Sequence, residues 1–348
     1  MSSLNFRTSQ FTERNAAGTP VRKISDEAQL TRLTLAHMLW EKQFYVDGKE
    51  TANAVQTLTA KVRPEFVRAL AETARLKFKL RHIPLLLLRE LARKGQLRAH
   101  DLEAVIQRPD EMGEFLSMYW KEGKVPISNQ VKLGLAASFK KFNEYQLAKW
   151  DKNSASVSMR DIMFLSHPKP DNEVQAELFK RVANKELQTP DTWETQLSAG
   201  ADKRDTFARL MIQRKLGALA FLRNLRNMVE AGMDETSIRL YGAEVNVDKV
   251  LPFRFIAAAR IMPEFEDMLE QMMFKALEGH EKLAGKTVLL VDVSGSMFGT
   301  KVSAKSDLDR FDAAAAWPFF AEKSVKKWKS TPLVIMELFA FHHVVGLH

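Results

Sequence analysis

The chain has 348 residues, of which 45% are hydrophobic and 27% charged, and its formal net charge is +9. This composition is typical of a globular protein and excludes an intrinsically disordered chain. No apolar run reaches the ~20 residues that span a bilayer, and the polar N-terminus lacks the apolar core of a secretory signal. Cysteine is absent, which excludes disulfides and thiolate metal sites and favours a cytoplasmic location.

Helices are predicted over most of the chain. Residues 1–24 read as an extended N-terminal arm, and an amphipathic helix is predicted to open at Ser25. Pro64 and Pro84 each mark a further helix start, because a proline in the first turn loses no hydrogen bond. Other helices are predicted to begin near Asp101, Asp110, Ser128, Ser158, Asn172, Asp191, Asp202, Ser237 and Pro252. No strict sequence period appears, so an irregular HEAT-like stack of antiparallel helix pairs is expected over residues 25–280.

The pattern changes at Gly285. Residues 286–292 form a short β-branched apolar run that is typical of a buried parallel strand. A helix over residues 307–326 and a second strand over 333–341 are predicted to complete one βαβ unit. A doubly wound α/β domain needs about 150 residues for a closed core. Residues 285–348 are therefore expected to be the first, truncated part of a larger α/β domain.

A possible metal site follows the first predicted strand. Asp292, Ser294 and Ser296 form a D-x-S-x-S motif at the strand end where open α/β sheets bind ligands. One carboxylate and two hydroxyls supply the hard oxygen ligands that Mg²⁺ prefers. A divalent cation, Mg²⁺ above all, is therefore the expected cofactor. The alternative is a serine-rich turn in which Asp292 only caps the following helix.

The positive charge is concentrated in the first half of the chain. Residues 61–100 contain 11 Lys and Arg against 3 Asp and Glu, a net of +8, and residues 120–160 contain 8 against 3, a net of +5. Clustered charge of this kind most often meets nucleic acid. A solvated helical surface without a partner is the alternative.

Residues 149–170 combine cations with an aromatic ring. Lys149 and Lys152 flank Trp150, an arrangement that can hold a phosphate and stack a base. His167, followed by Lys169, is predicted at a helix C-terminus, where the cationic form of histidine is favoured. Alternatively, His167 only caps its helix and Trp150 belongs to the core.

Four sequence segments occur in a distinctive order. They are DIMFLSHPKP at 161–170, DTWE and LSAG within 191–200, ALAFLRNLRNM at 218–228 and LPFR at 251–254, and the D-x-S-x-S segment follows them. In this order they closely resemble the Ro ribonucleoprotein family, whose module is called TROVE, in a bacterial or phage version. The resemblance covers essentially the whole chain.

The resemblance implies a ring of HEAT-like helices followed by a von Willebrand factor A domain, whose metal-ion-dependent adhesion site would use Asp292, Ser294 and Ser296. It also implies a non-enzymatic, monomeric RNA-binding protein. Its expected partners are small noncoding Y RNA on a basic outer surface, and single-stranded 3′ ends of misfolded RNA in the hole of the ring. By the same resemblance, an exoribonuclease such as polynucleotide phosphorylase is expected to act with it in RNA quality control. The positions that match the Y RNA surface are Lys149, Lys152 and His167, with Lys169 adjacent.

Two other functions are compatible with the sequence. The D-x-S-x-S segment could serve a protein-binding A domain that takes a partner's carboxylate through Mg²⁺, although the lack of a signal and of cysteines opposes an extracellular version. A metal-dependent RNA-processing enzyme is the third possibility. It is disfavoured because the sequence shows neither a carboxylate and histidine constellation with two-metal spacing nor a phosphate-binding GxxxxGK loop.

Overall fold

The computed structural model describes residues 13–14, 20–21, 24–36, 48–151, 157–278, 295–299, 301 and 308–314. Within these ranges the protein is almost entirely helical, as the sequence predicts. The chain forms two compact units, residues 1–190 and 191–348. The helices predicted over residues 25–280 are divided between these two units.

Ten described helices lie in the first unit: α1 (Asp26–Ala36), α2 (Gly48–Thr59), α3 (Pro64–Leu76), α4 (His82–Arg93), α5 (Ala99–Val105), α6 (Pro109–Tyr119), α7 (Asn129–Lys140), α8 (Glu144–Trp150), α9 (Met159–Ser166) and α10 (Glu173–Asn184). Helices two apart along the chain pack on one another, so that α2, α4 and α6 form one row and α3, α5 and α7 another, and the pairs α1–α2 and α3–α4 pack closely between the rows. This is the two-layered arrangement of a helical repeat. The core of this unit is one continuous cluster that runs from Leu30 to Val182.

Six described helices lie in the second unit: α11 (Trp193–Ser198), α12 (Lys203–Ile212), α13 (Ala218–Glu230), α14 (Glu235–Glu244), α15 (Phe253–Ile261) and α16 (Glu266–Glu278). The same alternation recurs, because α13 packs on α15 and α14 on α16. Phe221, Phe255 and Phe265 lie at the centre of a separate core. None of the described helices is long and apolar enough to cross a membrane.

Side-chain caps explain where many helices begin. Ser128, Ser158 and Asn172 each accept a hydrogen bond from a backbone N–H of the first turn of α7, α9 and α10. Asp202 does the same for α12. Such caps satisfy N–H groups that have no partner within the helix. These four starts agree with the sequence prediction.

Buried ion pairs join neighbouring helices of the first unit. Glu111, on α6, is fully buried, and its Oε1 accepts a 2.6 Å bond from Nη2 of Arg75 on α3. Its Oε2 accepts the backbone N–H groups of Gln107, at 2.7 Å, and Arg108, at 3.2 Å. Glu111 therefore caps its own helix and neutralises a guanidinium of another helix with one side chain.

The helices α5 and α7 approach closely at Gly134. A Cβ at this position would lie 2.7 Å from the carbonyl oxygen of Ala99 and 2.9 Å from Cβ of Leu102. Only glycine fits a backbone contact of this kind. The crossing of α5 and α7 thus depends on the missing side chain.

The predicted arm and α/β segment are described only in part. Glu13–Arg14 pairs with Pro20–Val21 in a short antiparallel ladder, so these residues are paired and not simply extended. Near the other end, Gly295–Met297 forms a 3₁₀ turn, Lys301 bridges Asp309, and residues 310–314 are helical. The predicted strands at 286–292 and 333–341 lie outside the described residues, so the von Willebrand A fold stays a prediction.

Candidate nucleic-acid interface

Many cations of the first basic stretch are already neutralised within the protein. Of the 11 Lys and Arg at 61–100, six form ion pairs with carboxylates, namely Arg63, Arg68, Arg75, Arg81, Arg89 and Arg93. Most of their partners lie on other helices or in the turn after α6, from Glu27 to Glu122. The local net charge of +8 therefore overestimates the positive charge on this surface that is free to bind a phosphate.

The second basic stretch is less neutralised. Among the described residues, no carboxylate forms an ion pair with Lys121, Lys124, Lys132, Lys149 or Arg160, whereas Lys140 is paired with Asp171. Lys141 donates to the carbonyls of Glu103 and Ile106, both at 2.5 Å, and burial lowers its pKa. Cations without an internal counterion are the ones that gain most from a polyanion. The described surface favours residues 120–169 over 61–100 as a phosphate-binding face.

The predicted pair of Lys149 and Trp150 ends the short helix α8. Lys149 is half-buried, with Nζ 5.6 Å from the centre of the Tyr145 ring. The indole of Trp150 is also half-buried and packs on the core, and the guanidinium of Arg108 lies 3.9 Å from its ring centre. Arg108 is itself held by Asp110 through bonds of 3.1 and 2.7 Å. A base could stack on that face of Trp150 only by displacing Arg108. Lys152 lies outside the described residues.

The predicted histidine stands at the surface where α9 ends. His167 adopts a left-handed conformation, with φ 51° and ψ 56°, and its backbone N–H donates to the carbonyl of Met163 at 2.8 Å. Its side chain is exposed, as is that of Lys169. Ser166 and Pro168 on either side are buried, which fixes the direction of the turn. The structure thus presents His167 and Lys169 outward, as the sequence predicts.

A cleft between α6 and α9 has a volume of about 600 Å³. Its lining includes Trp120, Lys124, Val157, Asp161, Phe164 and Leu165. None of these residues is among the predicted binding residues, although Phe164 lies within the DIMFLSHPKP segment. The helical periodicity of α9 indicates the exposure of Phe164. Met159, Ile162, Met163 and Ser166 form the buried face of this helix, so Phe164 lies on its outer face.

The second unit contains a pair of arginines without a described acidic partner. Arg254 of α15 is half-buried, and desolvation, with Arg223 of α13 as a further cause, lowers the pKa of its guanidinium. The guanidinium of Arg254 lies 5.1 Å from the centre of the Phe253 ring. Several other cations of this unit are paired: Arg209 and Lys215, for example, both bind Asp191, which lowers the pKa of that carboxyl. Arg223 and Arg254 therefore remain a second surface suited to an anion.

The predicted metal ligands cannot be placed. Asp292 and Ser294 lie outside the described residues, as does the side chain of Ser296. Among the residues that the structure describes, no three His, Asp or Glu side chains stand close enough together to hold a metal ion. The magnesium site at this motif remains a prediction from the sequence.

Comparison with known proteins agrees with the helical fold. Residues 180–293 match the TROVE domain family. The crystal structure of the Deinococcus radiodurans Ro (RSR) protein superposes with a TM-score of 0.59, covering 87% of this chain and 74% of that one at 18% sequence identity. A search of curated proteins finds no significant match.

The match indicates a TROVE domain over residues 180–293, and the superposition shows a helical-repeat fold like that of the Deinococcus protein. Both findings agree with the family resemblance inferred from the order of the four sequence segments.

Proposed function

We propose that this chain is a Ro-type RNA-binding protein that takes structured, Y-RNA-like RNA on the face formed by Lys149, Lys152, His167 and Lys169. The observation that carries the proposal is the set of cations within residues 120–169 that lack acidic partners, next to the exposed end of α9. Its TROVE match and its shared fold with a Ro protein support RNA as the partner class.

The same resemblance supports the finer parts of the proposal. Single-stranded 3′ ends of misfolded RNA bind in the hole of the ring that the family forms. An exoribonuclease then degrades the held RNA in the cytoplasm, so the protein is a scaffold and not itself an enzyme. Nothing in this scheme requires the chain to supply a catalytic residue.

The Lys149→Ala, Lys169→Ala double variant tests the RNA face. We expect its affinity for a hairpin RNA with a loop and a free 3′ tail to fall about tenfold, because two phosphate contacts are lost. The slope of log K against log salt should flatten by roughly two units. Both quantities are measured by fluorescence anisotropy over a salt series.

Lys180→Ala with Lys203→Ala is the matched control, since it removes the same charge from exposed positions on α10 and α12. It should leave the affinity within about twofold of the wild type. An unaltered affinity in the Lys149 and Lys169 variant, with circular dichroism showing a folded protein, would refute this face.

We also propose that Asp292, Ser294 and Ser296 hold Mg²⁺. Their one carboxylate and two hydroxyls match the oxygen donors that this ion takes. A ligand that binds only the folded state stabilises it by about 2.7 kcal/mol at a concentration of 100 Kd. Mg²⁺ should therefore raise the thermal midpoint of the wild type, measured by calorimetry, and leave that of Asp292→Ala unchanged.

Asp248→Ala is the control for that experiment, because it removes one exposed carboxylate elsewhere. Its midpoint should rise with Mg²⁺ as the wild type's does. If Mg²⁺ does not change the thermal midpoint of the wild type, the metal proposal is contradicted, and the proposal for the RNA face is unaffected.

A further inference from the structure

The cleft between α6 and α9 has an aromatic side chain on each wall. Phe164, on the outer face of α9, is 51% exposed. Trp120, directly after α6, is half-buried, and its Nε1–H donates to the carbonyl of Val125 at 2.8 Å. That bond fixes the indole on one wall. Val157 and Leu165 add aliphatic surface to the lining of the cleft.

Each ring has a cation close to it. Nζ of Lys124 lies 5.2 Å from the centre of the Trp120 ring, and the guanidinium carbon of Arg160 lies 5.3 Å from that of Phe164. Both cations are exposed, and no described carboxylate forms an ion pair with either of them. Unlike Arg108, which Asp110 holds against Trp150, they can move aside when another flat group approaches the ring. They can also bind the phosphates on either side of that group.

Asp161 supplies one acidic group at the cleft. Its Oδ2 accepts the hydroxyl of Ser158 at 2.6 Å and the backbone N–H of that residue at 3.2 Å. The bonds from Ser158 lower the pKa of the carboxyl, so it is ionised at neutral pH. No bond from a described residue reaches Oδ1. That oxygen is an acceptor suited to the amino and imino groups of a base edge.

We infer that this cleft accepts one unpaired nucleobase of a bound RNA, stacked against Phe164 and Trp120, with its hydrogen-bonding edge at Asp161. The inference rests on the proposed RNA binding and adds a second kind of contact to it. RNA-binding proteins commonly stack splayed bases on aromatic rings and read their edges. A purely apolar peptide side chain would offer no donor to Oδ1 of the ionised Asp161 and is therefore disfavoured.

The chemistry at Asp161 further predicts which bases fit. Guanine offers two adjacent donors to a carboxylate, and adenine and cytosine offer an amino group. Uracil has one imino donor flanked by two carbonyls, whose partial charges oppose the carboxylate. We therefore expect guanine to bind best and uracil worst. Asp161→Asn should reduce the difference in affinity between guanine and uracil, while its amide oxygen can still accept the hydrogen bonds from Ser158.

The test compares two RNA hairpins that differ by a single bulged guanosine. The wild type should prefer the bulged hairpin by about tenfold, the contribution typical of one stacked base. Phe164→Ala should remove this preference without altering the salt dependence, since no phosphate contact is lost. Phe78→Ala is the matched control, because Phe78 is 48% exposed and also lies near a lysine, with Nζ of Lys77 6.0 Å from its ring centre.

A second probe separates the inference from the proposed function. Guanosine monophosphate should quench the intrinsic fluorescence of the wild type, and Trp120→Phe and Phe164→Ala should each reduce the quenching. If the protein binds no RNA but the nucleotide still quenches through Trp120, the proposed function fails and the cleft stands. If RNA binds with a steep salt slope but the bulge preference is absent or survives in Phe164→Ala, the cleft assignment is overturned and the proposed function stands.

Discussion

Replacing Glu111 by alanine is expected to destabilise the first unit by about 3–5 kcal/mol, the cost of breaking a buried ion pair from one side. The guanidinium of Arg75 would stay buried without its 2.6 Å partner. The backbone N–H groups of Gln107 and Arg108 would lose their acceptor as well. Urea unfolding followed by circular dichroism gives the difference in unfolding free energy.

Glu177→Ala is the control for that measurement. Glu177 is 54% exposed and lies 3.9 Å from both Lys180 and Arg181, so its loss should cost less than about 1 kcal/mol. Similar losses for the two variants would show that the Glu111 pair contributes no more than a surface pair.

Gly134→Ala is expected to destabilise the first unit by about 1–3 kcal/mol. An exposed helical site would instead gain about 1 kcal/mol from the same change. The difference arises because the new methyl group would lie 2.7 Å from the Ala99 carbonyl oxygen, and a backbone atom of α5 can move only if the whole helix moves. The measurement is again the urea midpoint and its slope.

Gly242→Ala supplies a matched comparison within a helix of the second unit. There the new methyl group would meet Sδ of Met268 at 2.5 Å, and a thioether can rotate away at little cost. We expect Gly242→Ala to be less destabilising than Gly134→Ala by at least 1 kcal/mol. The opposite order would show that the α5 and α7 crossing tolerates a side chain.

Local signals predicted the helical architecture well. The N-caps are Ser128, Ser158, Asn172 and Asp202, and each side chain accepts a hydrogen bond from the backbone N–H three residues further along. Because both partners of such a bond lie close together in sequence, it can be predicted from the local sequence alone. The outward turn at His167 was predicted for the same reason, since the prolines that follow prevent α9 from continuing.

Contacts between distant residues could not be predicted in this way. The net charge of +8 at 61–100 counts residues near one another in sequence, but the carboxylates that neutralise Arg75 and Arg81 lie 29 to 36 residues further along. The contact between Arg108 and Trp150 likewise joins residues 42 apart in sequence, and hydrophobic periodicity cannot predict it. Phe164 is a different case, because the period of α9 already placed it outside the core.

The ion pairs between helices of the first unit also bear on how the chain folds. Arg68 reaches Asp101, Arg81 reaches Glu114 and Arg89 reaches Glu122, each across 33 residues. Because the sequence separation of these ion pairs is constant and short, each helix pair is bonded to the helix pair next to it along the chain, as in a one-dimensional array. Low contact order of this kind favours fast folding that spreads from one repeat to the next. Hydrogen exchange should accordingly reveal graded opening from the ends of the array inward, with the amides around Glu111 among the last to exchange.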